Sequence, residues 1–300
     1  MNPDLRIAIL SESLVNELVS ALGLPGTAFW HNLFWRLSRP VTDRLATIGA
    51  SFDRIVGAEG LPAGAAWGLT HFCNPIRAQG GENVPAAGPL LVVSNHPGAY
   101  DGLVIFSKLP RKDIQWISTE IPFFEHLPHT RSHMLFSSRT DALNRMSVMR
   151  SAIRHLRSGG TLVYFGAGHR DPDPATYPGA RAMLDNWLEG IDFFFKHVPD
   201  LRLQPTIVSG VVSEKWSRSP ITFLRRKQID KQRLSEFGQV ITQLLAPGKL
   251  MLSPCISFGK PASGTSLLEE NSGDSLLPAV IAREKALLEE HCRAFGGDAG

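Results

Sequence analysis

The sequence predicts an α/β fold: a mixed, largely parallel sheet flanked by helices, with an N-terminal helical extension. Three observations carry that expectation. The chain has 300 residues, 43% hydrophobic and 20% charged, which is enough to bury a sizeable core. From Gly80 onward, short apolar runs alternate with segments of helical period, the pattern of strands joined by helices. Before that point the apolar residues recur only every three or four positions.

Taken in order, Ile7, Leu10, Leu14, Leu18 and Leu22 share one helical face, with Asn2-Pro3 as the start signal and Gly23 to Gly26 as the stop. A second helix is expected from Thr27 to Pro40 and a third from Val41 to Gly57, the proline separating them. Residues 58–88, rich in Gly, Pro and Ala, read as a connection. The strands expected beyond it are Leu90–Ser94, Asp113–Ser118, Met134–Phe136, Thr161–Phe165, Gln204–Val212 and Met251–Phe258. Helices are expected at Gly102–Leu109, Asp141–Arg157, Ala180–His197, Lys231–Leu245 and Pro278–Phe295. The division is therefore 1–57 helical, 58–88 connecting and 89–300 the sheet domain.

Composition excludes several classes. With 31 basic and 28 acidic residues the net charge is only +3, too small and too evenly spread for a nucleic-acid binder. Cys73, Cys255 and Cys292 stand far apart without a Cys-x-x-Cys pair, which reads as reduced thiols in a cytoplasmic protein. Asp4 and Ser11-Glu12-Ser13 interrupt any signal peptide, and no apolar run approaches the roughly 18 residues of a membrane span. Phe29, Trp30, Phe34 and Trp35, interleaved with Arg36, Arg39 and Arg44, suit a bilayer interface or, equally, packing on the chain's own domain. A protein peripheral on the inner face of the membrane is expected.

The most informative stretch is Pro89 to Gly102, where a buried strand ends in Asn95-His96-Pro97-Gly98 and Asp101 opens a helix. A turn at Pro97-Gly98 can fold the chain so that Asp101 reaches His96, fixing its tautomer and leaving the other ring nitrogen to accept a proton. The spacing alone is common, and Asp101 would equally serve as a helix cap beside a surface histidine.

Four blocks in order, Ser94-Asn95-His96 to Asp101, Leu135-Phe136 to Arg139, Tyr164-Phe165-Gly166-Ala167-Gly168-His169-Arg170 and Leu203-Gln204-Pro205-Thr206, resemble the motifs of the glycerolipid acyltransferase superfamily. Ile256 to Pro261 looks like the superfamily's tail block. The resemblance implies transfer of an acyl group from acyl-CoA or an acyl-carrier protein to a hydroxyl of a lipid or glycerol-type acceptor, with no bound cofactor and no metal. It further implies His96 as general base, Asp101 as its orienting partner, and Asn95, Arg139, Gly168 and Arg170 as substrate contacts, the two arginines on an acceptor phosphate. The sequence departs from the third motif: its Glu is Ala167, its Pro is Gly166 and its Thr is His169. The second block opens on His133 instead of Gly, and a Lys expected ahead of Gly179-Ala180 is Tyr177. These departures make a different acceptor the expectation.

Two rival readings remain. His126, His129 and His133, with Glu120 and Glu125, could ligate a hydrolytic metal, although Leu127-Pro128 breaks the helix that would align them. A degenerate acyltransferase fold that only binds lipid is the non-enzyme alternative. Gly166-Ala167-Gly168 is no dinucleotide loop, because Asp171 takes the third glycine's place and Pro172 and Pro174 prevent a helix. The stripe Met183, Trp187, Ile191, Phe194 reads as core, and Arg225-Arg226-Lys227 as a solvated face or an approach to anionic lipid.

Overall fold

The computed structural model describes residues 7–14, 28–119, 121–138, 140–187, 190–270 and 275–298, with no side-chain detail at 28–35 and 37. Among the described residues eight strands form one sheet: β1 (Arg77–Gln79), β2 (Leu90–Ser94), β3 (Ile114–Ser118), β4 (Met134–Phe136), β5 (Thr161–Phe165), β6 (Arg202–Ser209), β7 (Cys255–Phe258) and β8 (Ala262–Ser263). Their order is β1-β7-β6-β2-β5-β3-β4, with β8 also on β6. Pairing is parallel except where β6 meets β7 and β8, so the sheet is mixed and largely parallel.

The longer helices are α1 (Ala28–Glu59), α2 (Leu61–Leu69), α3 (Asp101–Lys108), α4 (Ala142–Arg157), α5 (Gly190–His197), α6 (Gln228–Leu245) and α7 (Leu277–Phe295). Alternation along β2 distributes them. Leu90 and Val92 enter an apolar core with residues of α1, α2, α3 and α6, while Leu91 and Val93 enter a second core with residues of α4, α5 and α7. Every residue of β2 is buried, as a central parallel strand covered on both faces must be.

Several elements depart from expectation. Pro40 does not end a helix: α1 runs through it. One proline removes a single intrahelical bond, and the face that follows, Val41, Leu45, Ile48, Phe52 and Val56, packs on the first core. Residues 58–88 hold α2 and β1. In α2, Gly64 and Gly68 face α1, and a Cβ at Gly64 would come within 2.5 Å of the Val56 side chain, so the glycines permit close helix contact. The expected helix Ala180–His197 is divided into Ala180–Leu184 and α5. Residues 7–14 are helical and lie against α1, Ser11 Oγ bonding Thr42 and Asp43. The remainder of the first expected helix, and the side chains of Phe29, Trp30, Phe34 and Trp35, lie outside the described residues.

Pro205 sits in central strand β6 without an N–H to give. Its carbonyl accepts from Gly259 N at 2.9 Å, and the reciprocal bond to Gly259 O comes from the Gln204 side-chain amide at 2.7 Å. The side chain thereby replaces the donor that proline lacks. β7 and β8 are interrupted at this point, which is how β6 carries a proline.

Candidate active site

β2, β5 and β6 run parallel in register, Ser94 beside Phe165 and Thr206, so their C-terminal ends and following loops converge at one edge of the sheet. Asn95 extends the ladder beyond β2. Its amide donates to Val208 O and accepts from Val208 N, both at 2.9 Å, and the residue is 3% exposed. The substrate contact implied for Asn95 gives way to a structural role: it locks the root of the histidine turn to β6.

His96 is held at its backbone and its ring. Its N–H donates to Asp171 Oδ2 at 2.8 Å and its carbonyl accepts from Asp171 N at 2.9 Å. Its Nδ1 lies 2.7 Å from Asp101 Oδ2. Asp101 is anchored in turn by the N–H groups of Gly98, at 2.9 Å, and Gly102, at 2.6 Å. An ionised carboxylate only accepts, so Nδ1 carries the hydrogen and Nε2 presents a lone pair. The Asp101 side chain is 3% exposed and that of His96 29%, so the pair is buried at the carboxylate and open at the imidazole. Burial pulls the His96 pKa down, but the charge and hydrogen bond of Asp101 outweigh it and the net shift is upward.

Beneath the turn lies a polar scaffold that the sequence did not disclose. Gln232 of α6 donates to the carbonyls of Pro97, at 2.5 Å, and Asp171, at 2.8 Å. Asp173 accepts from the N–H groups of Gly210, Val211, Val212 and Ala175 at 2.8–3.0 Å, tying the loop after β5 to the loop after β6. Burial raises the pKa of Asp171 to about 6.

In the third block, Gly168 adopts φ +64° in the turn that closes on Phe165 O, a conformation suited to glycine. Gly166 lies against the Trp187 ring, which a Cβ would strike at 2.2 Å, so the family's proline gives way to glycine here. Ala167 is 3% exposed and belongs to the second apolar core. Arg170, assigned by the resemblance to a phosphate, forms an ion pair with Glu236 of α6. Glu236 is buried, and burial lifts its pKa to about 7 against the pull of Arg170. Arg139 lies outside the described residues.

The three histidines of the metal reading do not converge. His133 Nδ1 is on the carbonyl of Ile114 at 2.7 Å, and the ring of His129 packs over Gly57 of α1. Among the described residues no three His, Cys, Asp or Glu side chains cluster as ligands, Glu120 being outside them.

The sequence profile of the Acyltransferase family matches residues 75–209. No functionally curated protein matches the chain. Among solved structures, the 1-acyl-sn-glycerophosphate (LPA) acyltransferase PlsC of Thermotoga maritima is similar at 15% identity and a TM-score of 0.42, over 96% of this chain and 97% of that one. The family match begins just before β1 and closes on the last residue of β6, taking in each strand and turn that frames His96. Residues 75–209, the segment that builds these strands and the His96 turn, thus carry an Acyltransferase domain.

Proposed function

We propose that the protein transfers a fatty acyl group from an acyl-CoA or acyl-carrier-protein thioester to a lipid or glycerol-type hydroxyl, with His96 as general base. The observation that carries this reading is the His96–Asp101 contact at 2.7 Å, which commits Nδ1 and leaves Nε2 for the acceptor. Nε2 takes the hydroxyl proton as the oxygen attacks the thioester carbonyl. The tetrahedral intermediate then collapses, the carbon–sulfur bond breaks, and the imidazolium returns its proton to the departing thiolate. Asp101 stabilises the imidazolium throughout. A thioester is already activated, so the route needs no protein nucleophile.

In this proposal the reaction runs at an anionic membrane surface on the cytoplasmic side. Ile221, Phe223 and Leu224 are exposed, Phe223 and Leu224 by 71% and 81%, and Arg225-Arg226-Lys227 follow directly. Apolar side chains beside a basic cluster match the two attractions a peripheral protein uses. Among the described residues no helix is long and apolar enough to cross a membrane.

The test is purified protein with labelled acyl-CoA or acyl-carrier protein and a panel of lysolipids, glycerides and alcohols. Ester formation lost in His96→Ala is the expected result. Lipid binding without turnover on any hydroxyl would overturn the enzymatic reading in favour of a lipid-binding protein. Hydrolysis that needs added metal would favour the metal reading.

A further inference from the structure

The third motif has lost its carboxylate at Ala167, yet the site does not lack one. Ala167 faces the second apolar core, and the acid beside Arg170 arrives from α6, far along the chain, as Glu236. Its side chain is 4% exposed. It lies under the histidine turn, where a Cβ on Gly98 would sit 3.6 Å from its carboxyl carbon. One oxygen pairs with Arg170 Nη1; the other, Oε1, is buried with no hydrogen-bond partner. Among the described residues Arg170 is thus the sole hydrogen-bond partner of the Glu236 side chain.

We infer that Glu236 sets the acceptor class: by occupying Arg170 it withholds the guanidinium from phosphate, and the site takes a phosphate-free hydroxyl acceptor, a mono- or diacylglycerol-like lipid or an alcohol. The inference rests on the acyl-transfer reading and narrows its acceptor. Drawing Arg170 onto a phosphate would strand a buried carboxylate with both oxygens unpaired. The phosphate would also arrive among Asp101, Asp171 and Glu236, with Arg170, His96 and His169 as the cationic or titratable groups on the other side. The raised pKa of Glu236 agrees with an acid burdened by burial and by Asp101, one that has no surplus positive charge around it. A guanidinium already paired with a buried carboxylate is a poorer anion receptor, since phosphate must compete with that partner.

Glu236 is a positioning residue, acting through Arg170. The decisive measurement is binding, independent of turnover: calorimetry of a short-chain lysophosphatidate and the matching monoacylglycerol on the full chain, its Glu236→Gln, Glu236→Asp and Arg170→Ala variants, and the Glu236→Gln/Arg170→Ala double variant. Wild type should favour the monoacylglycerol. Glu236→Gln should tighten the lysophosphatidate about tenfold while moving the monoacylglycerol by less than about threefold, because only the phosphate meets the charge removed. Glu236→Asp should keep the wild-type preference, and the double variant should cancel the gain. Wild-type preference for lysophosphatidate, an unchanged ratio in Glu236→Gln, equal loss of both ligands, or binding of neither would overturn the inference. Absence of ester formation alongside the expected binding ratios would instead count against acyl transfer and leave the selectivity standing.

Discussion

The proposed proton route depends on an asymmetry within one pair: Asp101 is sealed from water while His96 is partly open. Because the His96 pKa is raised, the imidazolium persists above its ordinary pH of 6.5, and activity should fall as pH drops through the raised value. His96→Ala should lower kcat at least about a hundredfold with the fold retained. Asp101→Asn removes the charge that holds the pKa up, so the acidic limb of the kcat/KM profile should move to lower pH while kcat falls. An unmoved limb would separate His96 from that ionisation. The His96–Asp101 contact was legible because both residues lie in one short motif. Asp171, Gln232 and Glu236 were not, since their bonds are made to residues 61 to 135 positions away and no local spacing encodes them. Asp171 had one signal: it follows directly on the motif arginine, where a buried acid has reason to be held. The loss of the carboxylate at Ala167 was visible in the sequence; its replacement from another helix was not.

Among the elements, α7 shows how a helix can be legible in outline and hidden in chemistry. Its period is plain, yet it buries Glu284 and His291 completely. His291 bridges Ser209 of β6 and Ser257 of β7 with both ring nitrogens at 2.7 Å, and burial, helped by Arg77, lowers its pKa to about 4. Glu284 is driven well above the usual carboxylate range by burial. A raised acid means that the folded state holds a proton the unfolded chain releases, so its contribution to stability shrinks as pH rises above 4.5. Glu284→Gln cannot release that proton. Between pH 5 and 7 the variant should lose stability less steeply than wild type, by up to about 1.4 kcal/mol per pH unit. Urea unfolding across that range checks this; parallel slopes would mean that Glu284 is ionised in the fold. The same helix explains part of what pattern reading missed, because a buried polar position looks like an exposed one until its partners are known. The strands were the easier case: β2, β4 and β5 lie where continuous apolar runs placed them, whereas three-residue β1 and two-residue β8 are too short to show a period.

At the scale of the whole molecule, α6 connects the two surfaces that the proposed function needs. Lys227 follows closely on the exposed Phe223-Leu224 pair, and five residues later, a rise of about 7.5 Å, Gln232 holds the His96 turn. Phe223→Asp with Leu224→Asp should cut flotation with phosphatidylglycerol vesicles severely while leaving turnover of a short-chain, water-soluble acceptor unchanged. Full flotation of that variant would move the membrane contact to other residues, including the aromatics near the N-terminus. The sequence placed the basic cluster but not the exposure of its apolar neighbours, which depends on what packs over them. The mixed pairing at β6 has a consequence for synthesis. Gln79 of β1 bonds Ser257 of β7 across 178 residues, and Glu236 reaches Arg170 across 66. A chain leaving the ribosome N-terminus first at about 5–20 residues per second presents β1 as an unpaired edge for roughly ten to forty seconds before β7 follows. His96 and Asp101 emerge early with their apolar strand, but Glu236 joins them only when α6 has been made, so the nascent site is assembled in the order of the proposed roles: base first, selectivity last.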